Sequence, residues 1–378
     1  MALIKAQGVS ASTNDYANRL NVIKTTVPFL TIAPDSRASA MGDAGAASTP
    51  DLSSQNWNAS KYIFMKEKTG FQVSFTPWLK NLGVNDLYLA YASGYYKFDD
   101  KQAISAGLRY FSLGSIQLTD NTGKDAGTSN PNEFAFDLGY SRLFSKSFSA
   151  GLVFRYIRSD IAGGVGGVSN PDIRSYSPGN SFAADLSAYY QKPYEIAGKK
   201  GEGALGINIS NIGTKMSYSK DDTKAFIPTN LRLGGRMSLD LDEYNSLSVI
   251  VDINKLLVPT PPVKNATGDT IIAGLPDDVG PIAGIVQSFY DAPGGYKEEL
   301  HEISYSVGAE YWYRHQFALR AGYFNEHPTK GNRKYYTVGV GLKLNVFDID
   351  FSYLVPAVGG RNNPLDKTIR LTLGFAFK

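Results

Sequence analysis

The chain contains no cysteine, so neither a disulfide framework nor a thiolate metal site is open to it, and it can cross an oxidising compartment without mispairing. No run approaches the roughly 18 apolar residues of a membrane-spanning helix. Charge is scarce and balanced, with 19% charged residues among 378 and a net charge of +3, which points away from nucleic acid as a partner. Histidine is nearly missing, at three residues. The opening Met-Ala-Leu-Ile-Lys-Ala-Gln is too short and polar for a signal-peptide core, so a mature or altered start is expected. A further absence concerns the stretch "VPFLTIAPDSRASAMGDAGAAST", Val27 to Thr49. Its Gly42-Asp43-Ala44-Gly45 looks like a phosphate-cradling loop, but no strand precedes it and no helix follows within a βαβ unit, so a nucleotide site is excluded.

What the chain does have is aromatic residues, 24 Tyr and 20 Phe, and a period of two. In "TIRLTLGFAFK", Ile369, Leu371, Leu373, Phe375 and Phe377 share one face, opposite Arg370, Thr372, Gly374 and Ala376. "AISAGLRYF" and "YYTVGVGLKLN" alternate in the same way. About fourteen such segments follow one another, near 70–78, 87–97, 103–113, 132–141, 147–157, 181–190, 204–212, 230–239, 246–255, 304–313, 316–324, 335–345, 347–355 and 368–377. An even number of strands of about ten residues, with aromatics at their ends, predicts an all-β fold: a 14-stranded antiparallel transmembrane β-barrel of the outer membrane. A soluble sandwich would alternate too, but short and long connections would not then take turns. Here the connections near 98–102, 142–146, 240–245, 314–315 and 345–346 are short, with 191–203 a longer one on the same side. Those near 114–131, 158–180, 213–229 and 256–303 are long. With short turns in the periplasm and an even strand count, both termini are expected there.

If the apolar face meets lipid, the other face lines the lumen. Its charges are Arg109, Arg155, Arg232, Arg236, Arg320, Lys343 and Arg370 against Glu133, Asp137, Asp185, Asp252, Glu310, Asp348 and Asp350. Balanced signs on neighbouring strands form ion pairs that fill a lumen more readily than a single-sign ring that selects ions. The small-residue stretch ahead of strand one then has a use, because Gly and Ala let backbone approach the wall closely. The expected organisation is a flexible periplasmic leader at 1–27, an N-terminal lumen plug at 28–69 and the barrel at 70–378.

The stretch "PFLTIAPDSRASAMGDAGAAST", followed by "SSQNWNASKY", resembles the N-terminal signature of the PorV family, outer-membrane shuttle barrels of the type IX secretion system. The likeness continues through "LGYSRLFSKSFSAGLVFRY", "GINISNIGTKMSY", "PTNLRLGG" and "SFYDAPGGYKEEL". It implies a fourteen-stranded barrel with an N-terminal plug, similar to the long-chain fatty-acid transporters. The partners it implies are a very large translocon β-barrel, the C-terminal domains of secreted cargo, a cell-surface sortase-like peptidase, and outer-membrane lipid and lipopolysaccharide. Asn58-Ala59-Ser60 stands where the wider transporter superfamily has Asn-Pro-Ala, and Lys378 follows the aromatic that usually ends a barrel chain.

No catalytic residue, metal site or cofactor is expected. A lipid esterase would need Ser and His together on the outer wall, whereas His315 falls in a tight turn with Arg314, and His301 and His327 fall in outer loops. Asp277-Asp278 reads as a turn, and Gly163-Gly164-Val165-Gly166-Gly167 as a loop tip. In the longest loop, "IAGIVQSFYDAPGG" places Ile282, Ile285, Val286, Phe289 and Tyr290 at helical spacing. Pro281 suits the first helical position and Pro293-Gly294-Gly295 ends the pattern. An apolar stripe there either caps the lumen or docks on a partner, while Asp277-Asp278 and Glu298-Glu299 would keep it soluble. The reading is a protein-transport barrel; the alternative is an outer-membrane transporter of hydrophobic small molecules.

Overall fold

The computed structural model describes residues 16–80, 86–119, 122–163, 177–219, 224–357, 363 and 365–378. The Gly164 to Gly167 loop tip and most of the expected leader lie outside them. Fourteen antiparallel strands close into one barrel. They are β1 (Thr69–Pro77), β2 (Leu87–Lys97), β3 (Gln102–Leu113), β4 (Asn132–Ser145), β5 (Phe148–Asp160), β6 (Gly179–Ile196) and β7 (Lys199–Gly213). The second half comprises β8 (Asn230–Asp240), β9 (Asn245–Leu256), β10 (Ile303–Tyr313), β11 (Phe317–Asn325), β12 (Lys334–Leu344), β13 (Phe347–Pro356) and β14 (Ile369–Phe377). Each strand pairs with the next, and β1 closes the ring on β14 from Thr69↔Phe377 to Phe75↔Leu371. Two short hairpins, Ile116–Thr119 with Asp125–Ser129 and Val263–Lys264 with Ile271–Ala273, stand in the long loops outside the ring.

The alternation has the consequence expected of a closed sheet. On β1, Gln72, Ser74 and Thr76 are buried inward while Phe71, Val73 and Phe75 are exposed on the outer surface. Aromatic pairs collect at both rims. Phe71 and Phe347 each lie 5.0 Å from Phe375 at the short-turn end, and Tyr323 lies 5.0 Å from Tyr336 at the other. This is the girdle arrangement of membrane barrels.

The connections 98–101, 146–147, 197–198, 241–244, 314–316 and 345–346 are turns of two to four residues at one end. The expected longer loop at 191–203 is not one. Instead β6 and β7 run on to a two-residue turn at Ala197 and Gly198, both with positive φ, a geometry that suits hairpins. Tyr194 holds this extension. Its ring covers Gly201, and its hydroxyl donates to the Ser238 carbonyl at 2.9 Å. The polar Gln191, Lys192 and Glu195 had hidden the strand pattern.

Between Pro28 and Phe64 the chain forms four short elements: a 3-10 turn (Pro28–Thr31), α1 (Ser36–Ser39), α2 (Ser54–Trp57) and a second 3-10 turn (Ala59–Phe64). They lie inside the ring. Their partners are spread over its wall: Thr372 of β14, Thr337 of β12, Asp252 of β9, Ala188 of β6, Ser149 of β5 and Arg109 of β3. Close approach depends on missing side chains. A Cβ on Gly206 would lie 2.0 Å from the Ala46 carbonyl oxygen, and one on Gly322 would lie 2.1 Å from the Gly42 nitrogen.

Candidate functional site

Inside the barrel the wall charges form two kinds of contact. The first is cross-strand pairing. Arg155 lies between Asp137 at 2.6 Å and Asp185 at 2.9 Å, on adjacent strands, and also donates to Asn211. Arg320 reaches Glu310 at 2.7 Å and Asp350 at 2.5 Å. The second kind holds the lumen segment. Arg109 donates to the Leu30 carbonyl at 2.8 Å, Arg236 to that of Ala47 at 3.1 Å and Arg370 to that of Ala33 at 3.2 Å. Asp252 accepts from the backbone N–H groups of Gly45 and Ala46 at 2.7 and 2.9 Å. The Gly42-Asp43-Ala44-Gly45 loop therefore does cradle an anion, the barrel's own carboxylate.

The remaining wall charges are placed less centrally. Arg232 donates to Asn254 at 2.8 Å and sits 4.5 Å above the Trp57 ring, and Glu133 accepts from Ser159 at 2.6 Å. Lys343 lies at the short-turn rim, 3.7 Å from Asp348.

Four charged participants escaped the sequence reading. Arg37 bridges Asp51 and Glu310, both at 2.8 Å, so that Asp51, Arg37, Glu310, Arg320 and Asp350 form one chain of alternating sign. Glu202 pairs with Arg236 at 2.5 Å. Lys61 is fully buried, donating to the Gly45 carbonyl at 2.9 Å and to Ser48 at 2.7 Å. The one available signal was a lone arginine in a run of small residues.

At the opposite end from the short turns, the longest connection, 257–302, carries α3 (Pro281–Gln287) and α4 (Tyr296–His301). The expected stripe ends one turn early, since Phe289 and Tyr290 follow the helix in a turn. Its direction is the informative part. Ile282, Val286, Phe289 and Tyr290 are 65%, 58%, 51% and 63% exposed, with Pro281 and Ile285 half-buried. Gly284 and Gln287 face the protein, where a Cβ on Gly284 would lie 2.8 Å from the Phe226 ring. The stripe thus points away from the lumen.

The acidic flanks behave differently from one another. Asp278 is exposed beside Lys215, but Glu298 and Glu299 are buried and tie the loop down. Lys255 holds Glu299 at 2.9 Å and Glu302 at 2.6 Å, while Lys330 holds Glu298 at 2.7 Å and Glu302 at 2.9 Å. Asp291 accepts from the Thr260 N–H at 3.1 Å. Burial, with the Glu299 and Glu302 charges, raises the Asp291 carboxyl to about 6. Beside this cluster His301 and His327 stack with centroids 3.5 Å apart, a meeting of two loops that sequence spacing does not reveal. Burial, followed by the His301 charge, lowers His327. Among the described residues no group of three or more His, Cys, Asp or Glu is placed to hold a metal ion.

Two cavities among the described residues bear on the lumen. One of about 540 Å³ opens at the short-turn end around Arg37, Asp51, Glu67 and Asp348. The other, about 290 Å³, lies under the long loops around Trp57, Arg232, Asn211 and Tyr335.

Among solved structures, the chain is similar to the Ralstonia pickettii toluene transporter TbuX, at 11% identity and TM-score 0.45, over 91% of this chain and 98% of that one. It is also similar to a Pseudomonas aeruginosa FadL homologue, at 10% identity and TM-score 0.44, over 92% and 99%. A search of curated proteins finds no match. The model of the family described as type IX secretion system protein PorV matches residues 14–263, most of the chain. With its closed outer-membrane-type barrel, the chain belongs to the PorV family of type IX secretion system proteins.

Proposed function

We propose that the chain is a non-enzymatic component of the type IX secretion system that works by binding at its long-loop face. In this reading that face lies outside the cell and the short turns lie in the periplasm. One observation supports it most: α3 turns its apolar stripe to solvent and its small and polar side to the protein. A helix presented in this way fits a partner's groove. The partner is the C-terminal domain of secreted cargo, received at the large translocon barrel and carried to a cell-surface sortase-like peptidase. Residues 28–69 serve as a plug, and the outer belt meets lipid and lipopolysaccharide. A transporter of hydrophobic small molecules would need an apolar passage, whereas both cavities here carry charged walls.

The test replaces Val286 and Phe289 together with Asp. Both residues belong to the loop and to no strand, although the Lys255 ammonium of β9 lies 5.8 Å from the Phe289 ring centroid, so the barrel should keep its heat-modifiable gel mobility. Two desolvated charges within a contact cost several kcal/mol, and each 1.4 kcal/mol or so is about tenfold in affinity. Co-purification of cargo C-terminal domains or of the translocon barrel should fall at least about tenfold. Unchanged recovery of both would remove α3 from the docking surface.

A further inference from the structure

The residues ahead of Pro28 were expected on the periplasmic side, as a leader below the barrel. The structure places residues 16–27 at the other end. Asn21 donates from its side chain to the Pro261 carbonyl at 3.1 Å and to Glu298 at 3.0 Å, and from its backbone to the Thr329 carbonyl at 3.0 Å. Thr26 donates to the Phe226 carbonyl at 2.8 Å, and the His301 ring meets the Ala17 carbonyl at 3.2 Å. Ala17 is fully buried against Gly294, where a Cβ would lie 2.5 Å from its nitrogen. Three separate long loops, 214–229, 257–302 and 326–333, are therefore joined by one stretch of chain.

From there the chain descends. Val27 turns it, at φ 49°, a left-handed conformation that a β-branched residue rarely adopts and that burial holds here. Contacts then move down the wall from Leu30 to the Met65 carbonyl, which accepts from Lys97 at 2.8 Å, and to Lys68, whose N–H donates to the Phe377 carbonyl at 3.0 Å at the short-turn rim.

We infer that the chain crosses the whole lumen before its first strand, so that residues 16–27 form an outer strap that holds the longest loop in its docking posture. The strap fixes the acidic loop cluster from above. Asn21 supplies a neutral donor to Glu298, one of three carboxylates, Glu298, Glu299 and Glu302, that share two lysines, Lys255 and Lys330, with the Asp291 carboxyl held beside them by the Thr260 N–H. Without that donor the surplus of negative charge would favour opening of the loop. The inference rests on the proposed orientation of the barrel, and the experiment separates the two.

Because the chain has no cysteine, a single introduced thiol is unambiguous. Leu20→Cys tests the strap, at a side chain 76% exposed. Ala266→Cys reports the longest loop and Asp100→Cys a short turn, both at exposed positions. A membrane-impermeant maleimide applied to intact cells should label Leu20→Cys and Ala266→Cys and spare Asp100→Cys. Labelling of Ala266→Cys without Leu20→Cys overturns the strap and leaves the orientation standing. Labelling of Asp100→Cys alone overturns the orientation itself. The holding role is read separately: Asn21→Ala, which removes the donors to both Pro261 and Glu298, should raise protease cutting within 257–302 at least about fivefold, with barrel mobility unchanged. Cutting at the unaltered rate overturns that role.

Discussion

Arg37 joins the lumen segment to the wall, and its removal tests whether the segment is held by charge or by shape alone. Its guanidinium pairs with Glu310, which is buried, and with Asp51 at the edge of the short-turn cavity. Truncation leaves Asp51 without its cation and Glu310 with Arg320 alone, at a cost of about 3 kcal/mol. Arg37→Met should therefore release the segment before it harms the ring. A thiol at the fully buried Ala40 should resist a bulky periplasmic reagent in the otherwise unaltered chain and react in the Arg37→Met background. Equal protection in both would assign the hold to packing. The same residue shows what the sequence could express. Arg155, Asp137 and Asp185 were legible because strand parity places each on the inner face, and neighbouring strands do the rest. Arg37, Asp51 and Lys61 lie off the strands, where no parity exists. His301 and His327, 26 positions apart, meet only through loop geometry.

Elements were readable in proportion to their regularity. All fourteen strands followed from alternation, and the one misjudged connection was where charged residues at 191–203 masked a hairpin that continues past the apolar belt. α3 was legible as a helix because Pro281 and the i, i+3, i+4 pattern agree; its outward facing was not, since burial depends on what Phe226 and Pro259 bring to Gly284. The loop below it carries a pH dependence. Asp291 is raised from 3.8 to about 6, so the proton-bound form is favoured in the folded loop. Its contribution is complete below the ordinary carboxylate value and is lost as pH rises through about 6. His327, lowered by burial, acts in the opposite direction below its ordinary 6.5. Asp291→Asn isolates the first effect. Amide hydrogen exchange near Thr260 should be slower in this variant than in the parent at pH 7.5, and the difference should shrink toward pH 5. A constant difference across that range would assign the effect to the amide's own bonding.

For the molecule as a whole, the sequence read correctly as a closed fourteen-stranded ring, because ring closure needs only an even count of strands with one apolar face. The course of the chain through the ring was not readable, since small residues suit either end of a lumen. With that course occupied by residues 28–65 and the wall charges engaged, planar-bilayer recordings should show little stable conductance. Gly322→Leu sets a side chain where the Gly42 nitrogen now lies and should raise conductance by displacing the segment. Porin-like conductance in the parent, or silence in the variant, would contradict this account. The β1–β14 seam has a further consequence, which concerns the order of assembly. A chain enclosed by an unbroken ring of hydrogen bonds, touching β3, β14, β12, β9, β6 and β5 in turn, has no lateral way in once the ring is shut. Entry after closure would have to be end-on, past the wall charges that now hold the segment, so the sheet is expected to curl around a segment already laid along it. On that order the seam is the last join to form, and the segment ahead of the first strand is the template on which the ring closes.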